Sequence, residues 1–126
     1  MNIPGLTTAH VAGAAITARR MVTYGTEPGS VVTATGGHSL IIGVTTALDS
    51  DEGDHTDVIR GQLARVTCGG TVKAGQPLTA DSEGRAVHAA AGDWYLGFAE
   101  CDGEENDVGS VWIAPGQAAA ATTPSA

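Results

Sequence analysis

Positive charge is scarce in this chain. Its 126 residues include one lysine, Lys73, and five arginines against 14 acidic side chains, a formal charge of −8 at pH 7. No basic stripe is available to displace counterions from phosphates, which argues against a nucleic-acid binder. Aromatic residues are few as well, at 4%, so the core must be built from Val, Ile, Leu and Ala. No apolar run approaches the roughly 20 residues of a membrane span; Leu40-Ile41-Ile42, for example, stops at Gly43. No stretch carries an i, i+3, i+4, i+7 apolar stripe bounded by caps, so helices are not expected. Cys68 and Cys101 are too few for a disulfide framework and read as reduced, partly buried thiols. Arg19 and Arg20 follow the Ala/Gly/Thr-rich start rather than precede it, the wrong order for a secretory peptide. A cytoplasm, or a particle assembled in one, is the simplest setting.

Glycine is abundant, with 18 residues spread along the whole chain. Between the glycines the pattern is short and β-branched. Arg19–Tyr24, Ser30–Thr35 and Leu40–Thr46 read as strands, the last the most buried. Asp57–Cys68 reads as one long strand bent at Gly61, with a bulge to explain why Ile59 and then Ala64, Val66 and Cys68 point inward. Asp81-Ser82-Glu83-Gly84 reads as a hairpin loop with its glycine left-handed. Trp94–Cys101 should alternate Trp94, Leu96 and Phe98 on one face, and Gly109–Ala114 makes the last strand. Turn signals recur every 8–12 residues or so, which predicts an all-β fold, a small single-domain β-barrel or sandwich.

The two ends differ from this middle. Residues 1–16 hold no charged side chain, and Ile3, Leu6, Val11 and Ile16 follow no clean period. They read as an extended N-terminal arm that lies on something, with Ile3, Pro4, Leu6, Val11 and Ile16 as the contact to a partner. The β domain then covers residues 17–116, and residues 117–126, rich in Ala, Thr and Pro, read as a flexible tail.

Chemistry finds little foothold. The acidic loop Asp49–Asp57 has the wrong spacing for a helix-loop-helix calcium site, with Gly53 at the fifth position and Arg60 where the bidentate Glu belongs. It reads as a solvated loop, as does Asp102–Asp107. His10, His38, His55 and His88 lie at no zinc-ligand spacing from one another or from a cysteine. Gly37-His38-Ser39 lacks the final glycine of a nucleophile elbow, and Cys68 has no base near it in sequence. No catalytic residue, metal or cofactor is expected. Trp94 and Trp112 would form a carbohydrate platform if exposed, but are expected to plug the ends of the core.

Several segments together carry a resemblance. They are Met1-Asn2-Ile3-Pro4-Gly5-Leu6-Thr7, Gly61–Gly70 leading into Thr71–Thr79, Asp81–Val87, Leu96-Gly97-Phe98-Ala99, and Gly109-Ser110-Val111-Trp112-Ile113. In order and spacing this pattern resembles the small capsid decoration, or cement, proteins of tailed bacteriophages, formerly a domain of unknown function. The likeness covers roughly residues 1–116. It implies a virion protein made in the host cytoplasm that binds the outer capsid surface and bridges major capsid protein subunits. It also implies a homo-oligomer, trimer favoured and dimer open, with no nucleic acid or membrane as partner. The negative charge suits a protein displayed in many copies. Two other classes stay open: a carbohydrate- or host-surface-binding β module, and a hydrolase using His38, Ser39 or Cys68 with a carboxylate.

Overall fold

The computed structural model describes residues 3–4 and 6–119, and these contain no helix. The strands are β1 (Ile3–Pro4), β2 (Thr7–Ala12), β3 (Met21–Tyr24), β4 (Ser30–Thr33), β5 (Gly43–Thr45), β6 (His55–Ile59), β7 (Gln62–Thr67), β8 (Pro77–Ala80), β9 (Ala86–His88), β10 (Trp94–Ala99) and β11 (Val108–Gln117). They form a closed barrel in the order β2-β4-β3-β5-β6 and a six-stranded sheet in the order β1-β7-β11-β10-β8-β9. The sheet is antiparallel throughout. The barrel closes through one short parallel contact, Val11 opposite Ser30 and Ala12 opposite Val31.

Small aliphatics fill both cores, as an aromatic-poor sequence requires. Ala12, Ile16, Val22, Val31, Ile42 and Val58 pack together in the barrel. A larger cluster joins barrel to sheet, with Met21, Ile41, Val44 and Ile59 against Ala64, Val66, Leu78, Leu96 and Val111. Fully burying such a side chain is worth about 1.5–3 kcal/mol. Backbone bonds stitch the same seam: the Met21 N–H donates to the Gly84 carbonyl and the Thr67 N–H to the Arg19 carbonyl.

The course of the strands departs from the sequence reading in three places. Asp57–Cys68 is not one bent strand. β6 belongs to the barrel and β7 to the sheet, and the chain turns as it enters β7 at Gln62, whose φ is +62°. The change of parity marks a move from one layer to the other, not a bulge; Ala64, Val66 and Cys68 are buried as expected. A bulge does occur, in β10 between Tyr95 and Gly97. It puts Leu96 in the core and Phe98 on the opposite, outer face, so the predicted Trp94/Leu96/Phe98 face does not exist.

The third departure concerns the N-terminal segment, which is built into the fold. β1 pairs with β7, and β2 pairs residue by residue with β6, from Thr7 opposite Ile59 to Val11 opposite His55. Ile16 is 2% exposed and exchanges backbone hydrogen bonds with Ser50. At the other end β11 runs on to Gln117, and the Ala118 N–H donates to the Asp93 carbonyl. The expected tail falls mainly on residues 120–126, which lie outside the described residues.

Candidate docking surfaces

Of the five residues expected to meet a partner, Leu6 and Val11 are solvent-facing, 59% and 40% exposed. Ile3 and Pro4 stand in register opposite Leu63 and Gln62 at the edge of the sheet. Ile16 is a correction: its side chain is buried in the barrel core and does not reach the surface. Val11 lines a groove of about 640 Å³ on the barrel together with Tyr24, Pro28, Val32 and Glu52.

Six of the 14 acidic side chains accept backbone amides in turns and loops: Asp49, Asp54, Asp81, Asp93, Asp102 and Asp107. In Asp51–Asp54, Ala90–Asp93 and Glu104–Asp107 the closing aspartate accepts the first residue's N–H at 2.9–3.0 Å. Its own N–H donates back to the first residue's carbonyl. Lys73–Gln76 repeats the arrangement with the Gln76 amide oxygen as acceptor. The third residue is left-handed each time: Gly53, Gly75, Gly92 and Asn106. Glycine and asparagine take that conformation with least strain. Asp49 and Asp102 each take a distant amide, Ala18 and Ala74, at 2.8 Å. Within the loop Asp49–Asp57 two carboxylates, Asp49 and Asp54, are thus tied to backbone amides. Among the described residues no three His, Cys, Asp or Glu side chains converge as a metal site.

Cys68 is buried and Cys101 exposed, both as free thiols. Burial, with the Asp107 charge adding to it, pushes the Cys68 thiol above its ordinary value, the opposite of an activated nucleophile.

This distribution leaves the six-stranded sheet almost without charge. Its strands contain no Asp or Glu, and Arg65 is their one charged residue. On the face turned away from the barrel, Leu63, Trp112, Phe98 and Pro77 are consecutive cross-strand partners over β7, β11, β10 and β8. The Phe98 ring lies 6.1 Å from Trp112 and 5.4 Å from Tyr95, both tilted. Trp112 is 52% exposed, so it does not plug the core as expected. Sequence reasoning missed this surface because the bulge reverses the parity of β10; the pairing of two aromatics on adjacent strands has no local signature.

Where β7 meets the barrel lies a cleft of about 270 Å³ lined by Arg19, Thr45, Thr46, Ala47, Ile59 and Arg65. Arg19 is left-handed, φ +56°, and its backbone bridges Thr46 at the barrel and Thr67 in the sheet. Lys73 and Arg85 are ion-paired with carboxylates, whereas no carboxylate among the described residues pairs with Arg19 or Arg65.

Comparison with known proteins bears on what these surfaces serve. No curated protein matches the chain in sequence. Among solved structures, the chain is similar to the head fiber gp8.5 N base of bacteriophage phi29. The TM-score is 0.71 with 21% identity, over 86% of this chain and 93% of that one. At that identity the likeness is one of fold. The family model for phage cement proteins matches residues 3–123, nearly the whole chain. The chain belongs to the phage cement protein family, and is thus a structural, non-enzymatic protein of the capsid surface.

Proposed function

We propose that this protein binds the outside of an assembled phage head and stabilises it by bridging neighbouring major capsid protein subunits. The observation that carries this reading is the presence of exposed apolar side chains on both halves of the molecule. Leu6, Val11, Tyr24 and Leu48 belong to the barrel half, and Trp112 to the sheet. A bridge needs two contacts, and one binding face alone would serve a simple adduct. Leu6 and Val11 on the barrel half, and Ile3 and Pro4 at the edge of the sheet, form the N-terminal share of the contact. The protein acts as a homo-oligomer, a trimer in preference to a dimer, so that modest contacts add by avidity.

The test is to mix the purified protein with undecorated heads, sediment them, and heat them. Saturable co-sedimentation and a higher rupture temperature support the reading. Heads that stay bare at micromolar protein would end it.

Exposed Trp112 also favours, in one respect, a carbohydrate-binding module. Its cross-strand neighbours are Leu63 and Phe98, however, and a sugar platform needs polar partners beside the ring.

A further inference from the structure

We infer that the outer face of the six-stranded sheet is a capsid-docking face, and that it fits a subunit surface presenting an apolar pocket beside a carboxylate. This rests on the cement reading and names the chemistry of one of its contacts. The stripe Leu63–Trp112–Phe98–Pro77 is apolar, lies on paired strands, and has Trp112 standing half out of it. Tryptophan and arginine are among the residue types that dominate binding energy at protein interfaces. A chain with 14 acidic residues places none of them in this sheet. Where β7 meets the barrel, Arg65 and Arg19 share a cleft with Thr45 and Thr46 and have no carboxylate partner among the described residues. Among these residues Arg20 and Arg60 also lack a carboxylate, but they donate to the Ala18 carbonyl and the Tyr24 hydroxyl. The two guanidiniums that share the cleft are left for an anion from outside, and a planar fork suits a carboxylate.

The backbone at Arg19 points the same way. A left-handed arginine is strained by about 1 kcal/mol or more, where glycine would sit at ease. The backbone bonds from Arg19 to Thr46 and from Thr67 to Arg19 hold it in that conformation, which keeps its side chain at the cleft. A second copy of this chain is the poorer occupant. A two-fold contact through this face would bring Arg65 towards its own counterpart, and several of the chain's aspartates are already engaged by turn amides.

Three variants test the assignment on the full chain with undecorated heads: Trp112→Thr, Arg65→Glu and Arg19→Gly. Trp112→Thr keeps a strand-forming residue at an exposed position and should weaken head binding at least about 30-fold, the scale of an interface hot spot. Arg65→Glu should weaken it about tenfold and flatten its salt dependence. Arg19→Gly should raise the melting temperature by relieving strain yet still lower occupancy, which separates binding from folding. If the wild type leaves heads bare, the cement reading itself fails. If the wild type binds and all three variants bind as tightly, the docking face is wrong. Light scattering that shows Trp112→Thr splitting an oligomer into monomers would assign the face to copy–copy contact and overturn the proposal.

Discussion

Gly97 backs directly onto the Trp112 carbonyl: a Cβ built at Gly97 would overlap that oxygen and press on the Ala114 N–H at 3.0 Å. The two strands approach this closely where the β10 bulge ends, and the approach sets Phe98 against Trp112. Gly97→Ala should therefore destabilise by about 2 kcal/mol or more, since backbone cannot give way as a side chain tip can. A thermal melt should fall by about 6–12 °C. An unchanged melt would mean that the strands can separate without cost.

The repeated turn predicts a chemical distinction at the closing aspartate. Asp93→Ala and Asp107→Ala each remove the acceptor of a turn amide and should cost about 1 kcal/mol in urea denaturation. Asp93→Asn and Asp107→Asn keep an oxygen there, as Gln76 already does, and should stay within about 0.5 kcal/mol of wild type. The two sites lie in separate turns, so the double alanine variant should show the sum. Equal losses for Asn and Ala would point to charge, not hydrogen bonding.

Cys101 should react with iodoacetamide in the native protein while Cys68 reacts only after unfolding, a difference of one adduct by mass. Burial raises the folded Cys68 thiol above the 9.0 of an ordinary one. The unfolded thiol then ionises first, so this contribution to stability is complete below pH 9.0 and is lost as pH rises through the folded value. Wild type should lose more stability than Cys68→Ala between pH 8 and 10 or so. Parallel curves for the two proteins would show that Cys68 ionises freely in the native state.

Local chemistry was legible in the sequence where it decides structure locally. The Asp81–Gly84 hairpin, with Gly84 at φ +76°, and the β-branched strands around it follow from turn residues and alternation. What stayed hidden is pairing at long range. Residues 7–12 read as an arm because their partner, β6, lies far along the chain and nothing in either segment names the other. The same blindness joined β6 to β7 across a corner between two layers. Of the candidate contact, Leu6 and Val11 were visible as apolar residues in an uncharged stretch. The aromatic stripe was not, because a one-residue bulge turns Phe98 to the other face. One consequence reverses a simple expectation: deleting residues 2–12 should unfold the barrel, by removing β2 and the core residue Ala12, instead of trimming a dispensable arm. Loss of far-UV β signal and of a cooperative melt would show this, and a deleted chain that melts like wild type would restore the arm.

Bridging itself is tested most directly by imaging decorated heads in vitreous ice and reconstructing them to a resolution that separates subunits. Each copy should touch two major capsid protein subunits, one through the sheet face around Trp112 and one through the barrel surface around Leu6 and Val11. A reconstruction in which every copy rests on a single subunit, with no density reaching a neighbour, would contradict the account.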